Sequence, residues 1–141
     1  MKLVGIYGAS GFGREAMGML GDSSLPNTVF AFIDDASPNA EVNDYPCMTW
    51  DAFLKKKADE RSVAIAIADS GSRQYLADRC KQEGIGFFRA HAESAIVFDK
   101  VDIAEGSILC PLSTITSNVK IGSHFHANIY SYVAHDCVIG D

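Results

Sequence analysis

His135 and Asp136 are the adjacent pair in this 141-residue chain whose types could do acid–base chemistry. A histidine titrates near neutral pH, so it can remove a proton from an attacking nucleophile, and a neighbouring carboxylate can orient its ring. Adjacent side chains on a strand point to opposite faces, so this pair needs a corner in the chain to meet. From the residues alone, an outward-facing loop histidine is the favoured interpretation.

A glycine-rich turn over residues 8–13 follows the first apolar run of the chain. Glycines let the backbone turn tightly there, and the N–H groups at the start of the next helix can hold a phosphate. The spacing is G-x-x-G-x-G, which differs from the dinucleotide fingerprint G-x-G-x-x-G, so a purely structural turn stays the alternative. The turn predicts diphosphate binding at Gly8, Ala9, Ser10, Gly11 and Gly13.

Polar side chains follow two later apolar runs. Asp34 and Asp35 come after the second predicted strand, where carboxylates accept hydrogen bonds from a ribose or base. Their alternatives are solvated loop acids or a helix cap. Asp69, Ser70 and Arg73 follow the third strand; Arg73 could hold a phosphate with two hydrogen bonds, and Asp69 or Ser70 could instead cap a helix.

The elements that position these residues alternate between strand and helix patterns over the first 90 residues or so. Continuous apolar strands separated by helices predict an α/β, Rossmann-like unit with a parallel sheet of four or five strands. The predicted strands are 2–7, 29–33, 63–68 and 87–88, the helices are 13–20, ended by Gly21-Asp22, then 50–57 and 72–83, and a turn covers 43–46.

A period of six replaces this pattern from about Ala95. Each unit supplies one inward aliphatic residue and a small residue where the chain bends, so stacked units bury a continuous apolar column. The spacing predicts a parallel β-helix. The first column is Val97, Ile103, Leu109, Ile115, Ile121, Ala127, Val133 and Ile139, and the second is Val101, Ser107, Ser113, Val119, Phe125, Ser131 and Cys137.

Residues 96–141 resemble the hexapeptide-repeat acyltransferases, whose repeats form a left-handed β-helix. The whole chain resembles one branch of them, the sialic acid O-acetyltransferases and the N-acetyltransferases of nucleotide-linked 4-amino-deoxy sugars, in which a Rossmann-like domain precedes the helix. The residues that carry this resemblance are 8–15, 34–35, 68–73, His91 and 133–141.

The resemblance implies a nucleotide-sugar-binding domain over 1–92 and a left-handed β-helix over 93–141. It further implies acetyl-CoA as co-substrate, a UDP- or dTDP-linked 4-amino sugar as acceptor, no metal, and a role in surface-glycan synthesis. His135 becomes the catalytic base with Asp136 beside it, and the assembly is a homotrimer with the acetyl donor between adjacent β-helices. His126 and Asn128 are expected near one coil before His135, lining its cleft.

Two other histidines have structural interpretations: His124 as a coil-surface residue and His91 as a junction residue. The repeats stop at Asp141 in mid-unit, so we expect a C-terminally truncated, incomplete helix that lacks much of the acetyl-CoA site.

Composition narrows the functional classes. The net charge of −6 and the lack of a basic patch argue against nucleic acid as a partner. Four cysteines without metal-site spacing, no signal peptide and no membrane span predict a cytoplasmic protein with reduced thiols.

Three rival functions stay open. They are sugar or sialic acid O-acetylation, a non-catalytic nucleotide-sugar-binding module, and an NAD-dependent dehydrogenase. The dehydrogenase is disfavoured because Tyr75-x-x-x-Arg79 has arginine where a titrating lysine is needed.

Overall fold

The computed structural model describes residues 1–20, 25–37 and 39–141. It consists of two compact units, Met1–Phe88 and Arg89–Asp141. The boundary predicted between residues 92 and 93 therefore lies within the second unit.

The first unit is an α/β structure built on one sheet. Its strand order is β3-β4-β2-β1-β5-β6, and every neighbouring pair is parallel except β3 and β4. The predicted Rossmann-like parallel sheet is confirmed. The elements are β1 (Lys2–Tyr7), α1 (Gly11–Leu20), β2 (Thr28–Ile33), β3 (Glu41–Val42), β4 (Tyr45–Met48), α2 (Trp50–Lys55), β5 (Glu60–Ile65), α3 (Ser70–Gln82) and β6 (Gly86–Phe87).

The turn predicted over 43–46 is too long. Asn43 and Asp44 alone form it, with left-handed φ values of 49° and 64°, a conformation that Asn and Asp tolerate well in hairpins. Tyr45 and Pro46 already belong to β4, which pairs with β3 on one side and β2 on the other.

Other element boundaries shift by a few residues. The strand predicted over 63–68 is Glu60–Ile65, because its register against β1 begins where Lys2 faces Glu60, before the apolar residues start. The helix predicted over 50–57 ends at Lys55. The predicted end of α1 at Gly21-Asp22 lies outside the described residues.

The second unit consists of short parallel strands. They form three three-stranded sheets in the orders β7-β10-β13, β8-β11-β14 and β9-β12-β15. Paired residues lie 18 positions apart, as Ala90, Ile108 and His126 do, so one coil contains three six-residue units. The predicted parallel β-helix is confirmed. The strands are β7 (Ala90–His91), β8 (Ile96–Val97), β9 (Val101–Ile103), β10 (Ile108–Leu109), β11 (Thr114–Ile115), β12 (Val119–Ile121), β13 (His126–Ala127), β14 (Tyr132–Val133) and β15 (Val138–Ile139).

Every coil turns at residues with left-handed backbone. Their φ values lie between 54° and 73° and recur every sixth residue, which brings successive strands round the coil. The predicted aliphatic column fills the interior from Ile103 onward, where Leu109 and Ile115 are fully buried and Val119 joins them from the second column. Val97, the first predicted member of the column, is instead 44% exposed. The corner residues are Lys100, Gly106, Leu112, Asn118, His124, Tyr130 and Asp136.

The first coil begins at His91, one repeat earlier than the sequence pattern indicates. His91 lies in register with Leu109, so it occupies the position that aliphatic residues take in later repeats. Its Nε2 is 2.7 Å from the hydroxyl of the fully buried Ser107. Burial, helped by the charge of Arg89, lowers the pKa of His91.

We expect His91 to make stability depend on pH. Because its folded pKa is lowered, the unfolded chain binds the proton first, and stability falls as the pH drops below the unfolded value of about 6.5. His91→Gln keeps a hydrogen-bonding side chain that does not titrate. Urea unfolding at about pH 7.5 and about pH 5.5 should therefore show a smaller loss of stability in the variant than in the unaltered protein. Equal losses would contradict this role.

Candidate functional site

The glycine turn joins β1 to α1 and is shaped by close backbone approach. Gly8 has a φ of 103°, and its N–H donates to the carbonyl of Ile33 at 2.8 Å. A Cβ at Gly13 would overlap the carbonyl oxygen of Gly8, whereas a Cβ at Gly11 would meet no atom within 4 Å. Gly8 and Gly13 are therefore required by the turn itself, and the space beside Gly11 is open.

The start of α1 faces this turn. The first helical hydrogen bond runs from the N–H of Arg14 to the carbonyl of Ser10 at 2.9 Å, and the Arg14 guanidinium donates to the carbonyl of Ala9 at 3.0 Å. The N–H groups of the first helical turn and the helix dipole favour an anion at this end. The arrangement suits the predicted diphosphate, which stays a prediction.

Asp34 ties the loop after β2 to the glycine turn. One carboxylate oxygen accepts from the N–H of Ala9 at 3.2 Å, and the other accepts from the N–H of Ala36 at 2.9 Å. The predicted contact of Asp34 with a ribose or base is untested, but its carboxylate already holds the glycine turn, 25 residues earlier in the chain.

Asp35 is engaged more completely within the protein. One oxygen accepts from the N–H of Trp50, the first residue of α2, at 2.8 Å. The other accepts from the Tyr7 hydroxyl at 3.2 Å and from Arg79 at 3.1 Å. Partial burial opposes its ionisation, but these hydrogen bonds outweigh burial and lower the pKa of Asp35. Arg79 is the partner that the sequence did not suggest.

The residues after β5 also have local partners. Asp69 is the N-cap of α3 and accepts from the N–H of Ser72 at 2.7 Å, a hydrogen bond that lowers the pKa of Asp69. Arg73 donates to the carbonyls of Ile67 at 2.9 Å and Ala68 at 3.0 Å. Ser70 is the first residue of α3 and is exposed. The capping alternative is thus realised at Asp69, and it leaves ligand binding possible.

His135 and Asp136 meet at a corner of the third coil. The left-handed φ of 60° at Asp136 brings its carboxylate to 2.7 Å from the Nδ1 of His135, although the two residues are adjacent. The N–H of Asp136 donates to the carbonyl of Ser117 at 3.0 Å, which fixes the corner on the coil below. The side chains are 77% and 66% exposed, so the Nε2 side of the ring is accessible to a substrate.

The expected placement of His126 and Asn128 is wrong. A coil is 18 residues long, so the residue one coil before His135 is Ser117, which donates to the carboxylate of Asp99 at 3.3 Å. His126 instead lies in β13, in register with Ile108. A role for His126 or Asn128 in the cleft stays a prediction.

The surface interpretation of His124 is also wrong. His124 is only 8% exposed, and its ring packs over Gly106, the corner residue one coil earlier. Gly106 has no side chain, which leaves the room that the imidazole fills.

Residues 1–20, 25–37 and 39–141 contain neither a candidate metal site nor a membrane-spanning helix. In these ranges no three His, Cys, Asp or Glu side chains group closely enough to hold a metal ion. None of the helices there is long and apolar enough to cross a bilayer. All four cysteines are free thiols, and Cys47, Cys80 and Cys110 are buried.

Comparisons with known proteins identify relatives along the whole chain. Residues 3–80 match the family described as the PglD N-terminal domain. The chain is 35% identical over 145 residues to a GDP-perosamine N-acetyltransferase of Escherichia coli O157:H7, covering 100% of itself and 66% of that protein. It thus spans about two thirds of the length of this curated relative.

Two solved structures share the fold. WeeI from Acinetobacter baumannii AYE is 45% identical, with a TM-score of 0.93 over 100% of this chain and 68% of that one. The acetyltransferase domain of PglB from Neisseria gonorrhoeae FA1090, solved with acetyl coenzyme A, is 17% identical, with a TM-score of 0.88 over 98% of this chain and 67% of that one. These matches confirm the predicted Rossmann-like domain followed by a left-handed β-helix.

The two helical glycines of the turn should respond differently to substitution. Gly13→Ala forces a Cβ onto the Gly8 carbonyl and should cost about 1–3 kcal/mol of unfolding free energy. Gly11→Ala is the matched control, because its Cβ enters open space and alanine favours a helix. Urea denaturation measures both variants, and equal stability of the two would contradict the close approach.

The cap of α3 gives a second stability test. Asp69→Ala should lower the unfolding free energy by about 1 kcal/mol, because the N–H of Ser72 loses its acceptor. Asp69→Ser supplies another capping oxygen without a carboxylate and should restore most of the loss. If the alanine variant is as stable as the unaltered protein, Asp69 is not a cap.

Proposed function

The chain belongs to the family of the PglD N-terminal domain. On that premise we propose that it carries the acceptor site and the catalytic base of an acetyl-CoA-dependent N-acetyltransferase. The acceptor is a nucleotide-linked 4-amino sugar. The observation that carries the proposal is the contact of 2.7 Å between His135 and Asp136 at an exposed corner. The name of the E. coli relative and the acetyl coenzyme A bound to the PglB domain support this reaction class.

The α/β unit holds the nucleotide. The glycine turn offers backbone N–H groups and the positive end of α1 to the diphosphate, in a protein whose overall charge of −6 would otherwise repel it. The substrate of the E. coli relative favours a guanosine diphosphate sugar over the predicted UDP or dTDP sugars. Asp34 lies in the loop after β2, and Asp69, Ser70 and Arg73 lie at the start of α3, at the same carboxyl edge of the sheet.

His135 is the general base. Asp136 accepts the Nδ1 hydrogen, which leaves Nε2 free to take the proton of the sugar amine as its nitrogen attacks the thioester carbonyl of acetyl-CoA. The new C–N bond forms as the C–S bond breaks, and CoA leaves as the thiol once the proton passes to sulfur. Asp136 stabilises the imidazolium that exists between these proton transfers.

The active form is a homotrimer. The sheet containing β8, β11 and β14 carries exposed apolar side chains in one column, with Ile96 and Tyr132 on either side of Thr114. Leu112 and Tyr130 extend this surface at the preceding corner. An apolar surface of this kind suits burial against another copy. The cytoplasmic location expected from the sequence stays a prediction.

Calorimetric titration tests the substrate class. We expect the chain to bind GDP-perosamine more tightly than GDP, and more tightly than the corresponding UDP and dTDP 4-amino sugars. Tightest binding of a UDP or dTDP sugar would reassign the nucleotide. If no nucleotide sugar binds, the proposed acceptor is wrong.

The base is tested by acetyl transfer in the chain extended by the C-terminal third of the E. coli relative, with release of the CoA thiol as the readout. His135→Ala should lower kcat by about 10²–10⁴-fold, because no other group takes the amine proton. Lys100→Ala changes an exposed corner residue two coils before Asp136 and serves as the control. Near-normal turnover by His135→Ala would contradict the role, and transfer to the 4-hydroxyl sugar instead of the 4-amino sugar would favour the O-acetyltransferase alternative.

A further inference from the structure

A polar cluster joins β1, the loop after β2, and helices α2 and α3. Its centre is Arg79 of α3, whose Nη1 donates to the Tyr7 hydroxyl at 2.8 Å and to the Asp35 carboxylate at 3.1 Å. The guanidinium lies 5.2 Å from the centre of the Trp50 ring, and Trp50 stacks on Tyr7 at 5.5 Å.

The aromatic members of this cluster hold Arg79 in place. The Tyr7 and Trp50 side chains are almost fully buried, so the hydroxyl and the ring face that contact Arg79 are fixed by the core. Asp35 joins them through the backbone N–H of Trp50 as well as through Tyr7 and Arg79. Few alternative positions therefore remain for the Asp35 carboxylate.

The cluster continues into the glycine turn. Asp35 follows Asp34 directly in the loop after β2, and the Asp34 carboxylate accepts from the N–H of Ala9. A side chain on α3 thus reaches the turn through two adjacent carboxylates. Arg79 touches neither the turn nor its N–H groups, so any effect on a ligand there is exerted through Asp35.

We propose that Arg79 is a positioning residue for the nucleotide sugar: through Asp35 it fixes the loop that holds the glycine turn. This inference rests on the proposed function. The ion pair and the hydrogen bonds that surround Asp35 hold its carboxylate in one position, and that position fixes the loop.

The pH dependence of binding separates this role from simple stabilisation. With Arg79 present, the pKa of Asp35 is lowered, so the carboxylate stays ionised through the weakly acidic range and the loop keeps its hydrogen bonds. Without Arg79, fewer hydrogen bonds oppose the effect of burial on Asp35, so the pKa of Asp35 rises. Protonation of Asp35 as the pH falls then releases the N–H of Trp50.

Two further titratable groups in the cluster, Cys80 and Tyr7, have raised pKa values. Burial raises the pKa of Cys80, the neighbour of Arg79 on α3, to about 11, and burial and Asp35 raise the pKa of Tyr7. Tyr75 lies one turn before Arg79 on α3 and is present in both proteins, as is Asp34 in the loop.

The test is calorimetric titration of the 141-residue chain with GDP-perosamine, or with the UDP or dTDP 4-amino sugar if one of those binds more tightly. Arg79→Met should weaken binding about tenfold or more near pH 7.5 and should weaken it further as the pH falls towards about 4, the ordinary range of an aspartate, where the unaltered chain shows the smaller change. Arg79→Lys keeps the charge and should recover most of the affinity and the flatter pH profile.

Arg61→Met is the matched control. Arg61 donates to the backbone carbonyls of Phe53 and Lys56, and it lies at the opposite, amino edge of the sheet. We expect Arg61→Met to lower the stability of the chain and to leave its affinity for the nucleotide sugar unchanged. Equal affinity and equal pH profiles for Arg79→Met and the unaltered chain would overturn the proposal.

A second variant covers the case in which Arg79→Met does not fold. Tyr7→Phe keeps the stacking on Trp50 and removes only the hydroxyl between Arg79 and Asp35, so this variant should fold. Its affinity for the nucleotide sugar should fall about threefold or more. Unchanged affinity in Tyr7→Phe would then overturn the proposal. If the unaltered chain binds no nucleotide sugar, both the proposed function and the positioning role are wrong. If it binds tightly and the Arg79 variants bind with the same affinity, only the positioning role is wrong.

Discussion

The left-handed corner at every sixth residue is the constraint on which the β-helix depends. Six of the seven corner residues carry side chains, and this conformation costs a non-glycine residue about 1–2 kcal/mol. The cost is offset because each corner lets another aliphatic residue join the buried column, from Ile103 to Ala127. The same corner geometry turns Asp136 back onto His135, so the candidate catalytic pair is a direct product of the coil rather than an addition to it.

In the α/β unit, three carboxylates fix the shape of the loops at the ligand-binding edge of the sheet. Asp34, Asp35 and Asp69 all follow strands at the edge where ligands bind in such sheets, and each one accepts backbone N–H groups of its own unit. Their hydrogen bonds give the loops a defined shape before any ligand arrives, which reduces the entropic cost of binding. Structural and ligand-binding roles are therefore compatible at this edge, and Arg79 connects the two through Asp35.

The sequence predicts the two fold types well because both have strong periods. What it misses depends on long-range register. His91 breaks the aliphatic pattern and conceals the first repeat, although its pairing with Leu109 is clear in space. His126 lies nine residues before His135, which is half a coil, and Ser117 has the position one full coil earlier. Arg79 lies 44 residues from Asp35, and no local pattern links them.

The most direct test of the account is to map the ligand on the α/β unit by amide chemical shifts of the ¹⁵N-labelled chain during titration with GDP-perosamine. The account predicts the largest shifts at the amides of residues 8–13 and at Asp34, with smaller shifts in the loop that Arg79 supports. Shifts concentrated at the amino edge of the sheet, around Lys2, Thr28 and Glu60, or no shifts at the glycine turn, would contradict it.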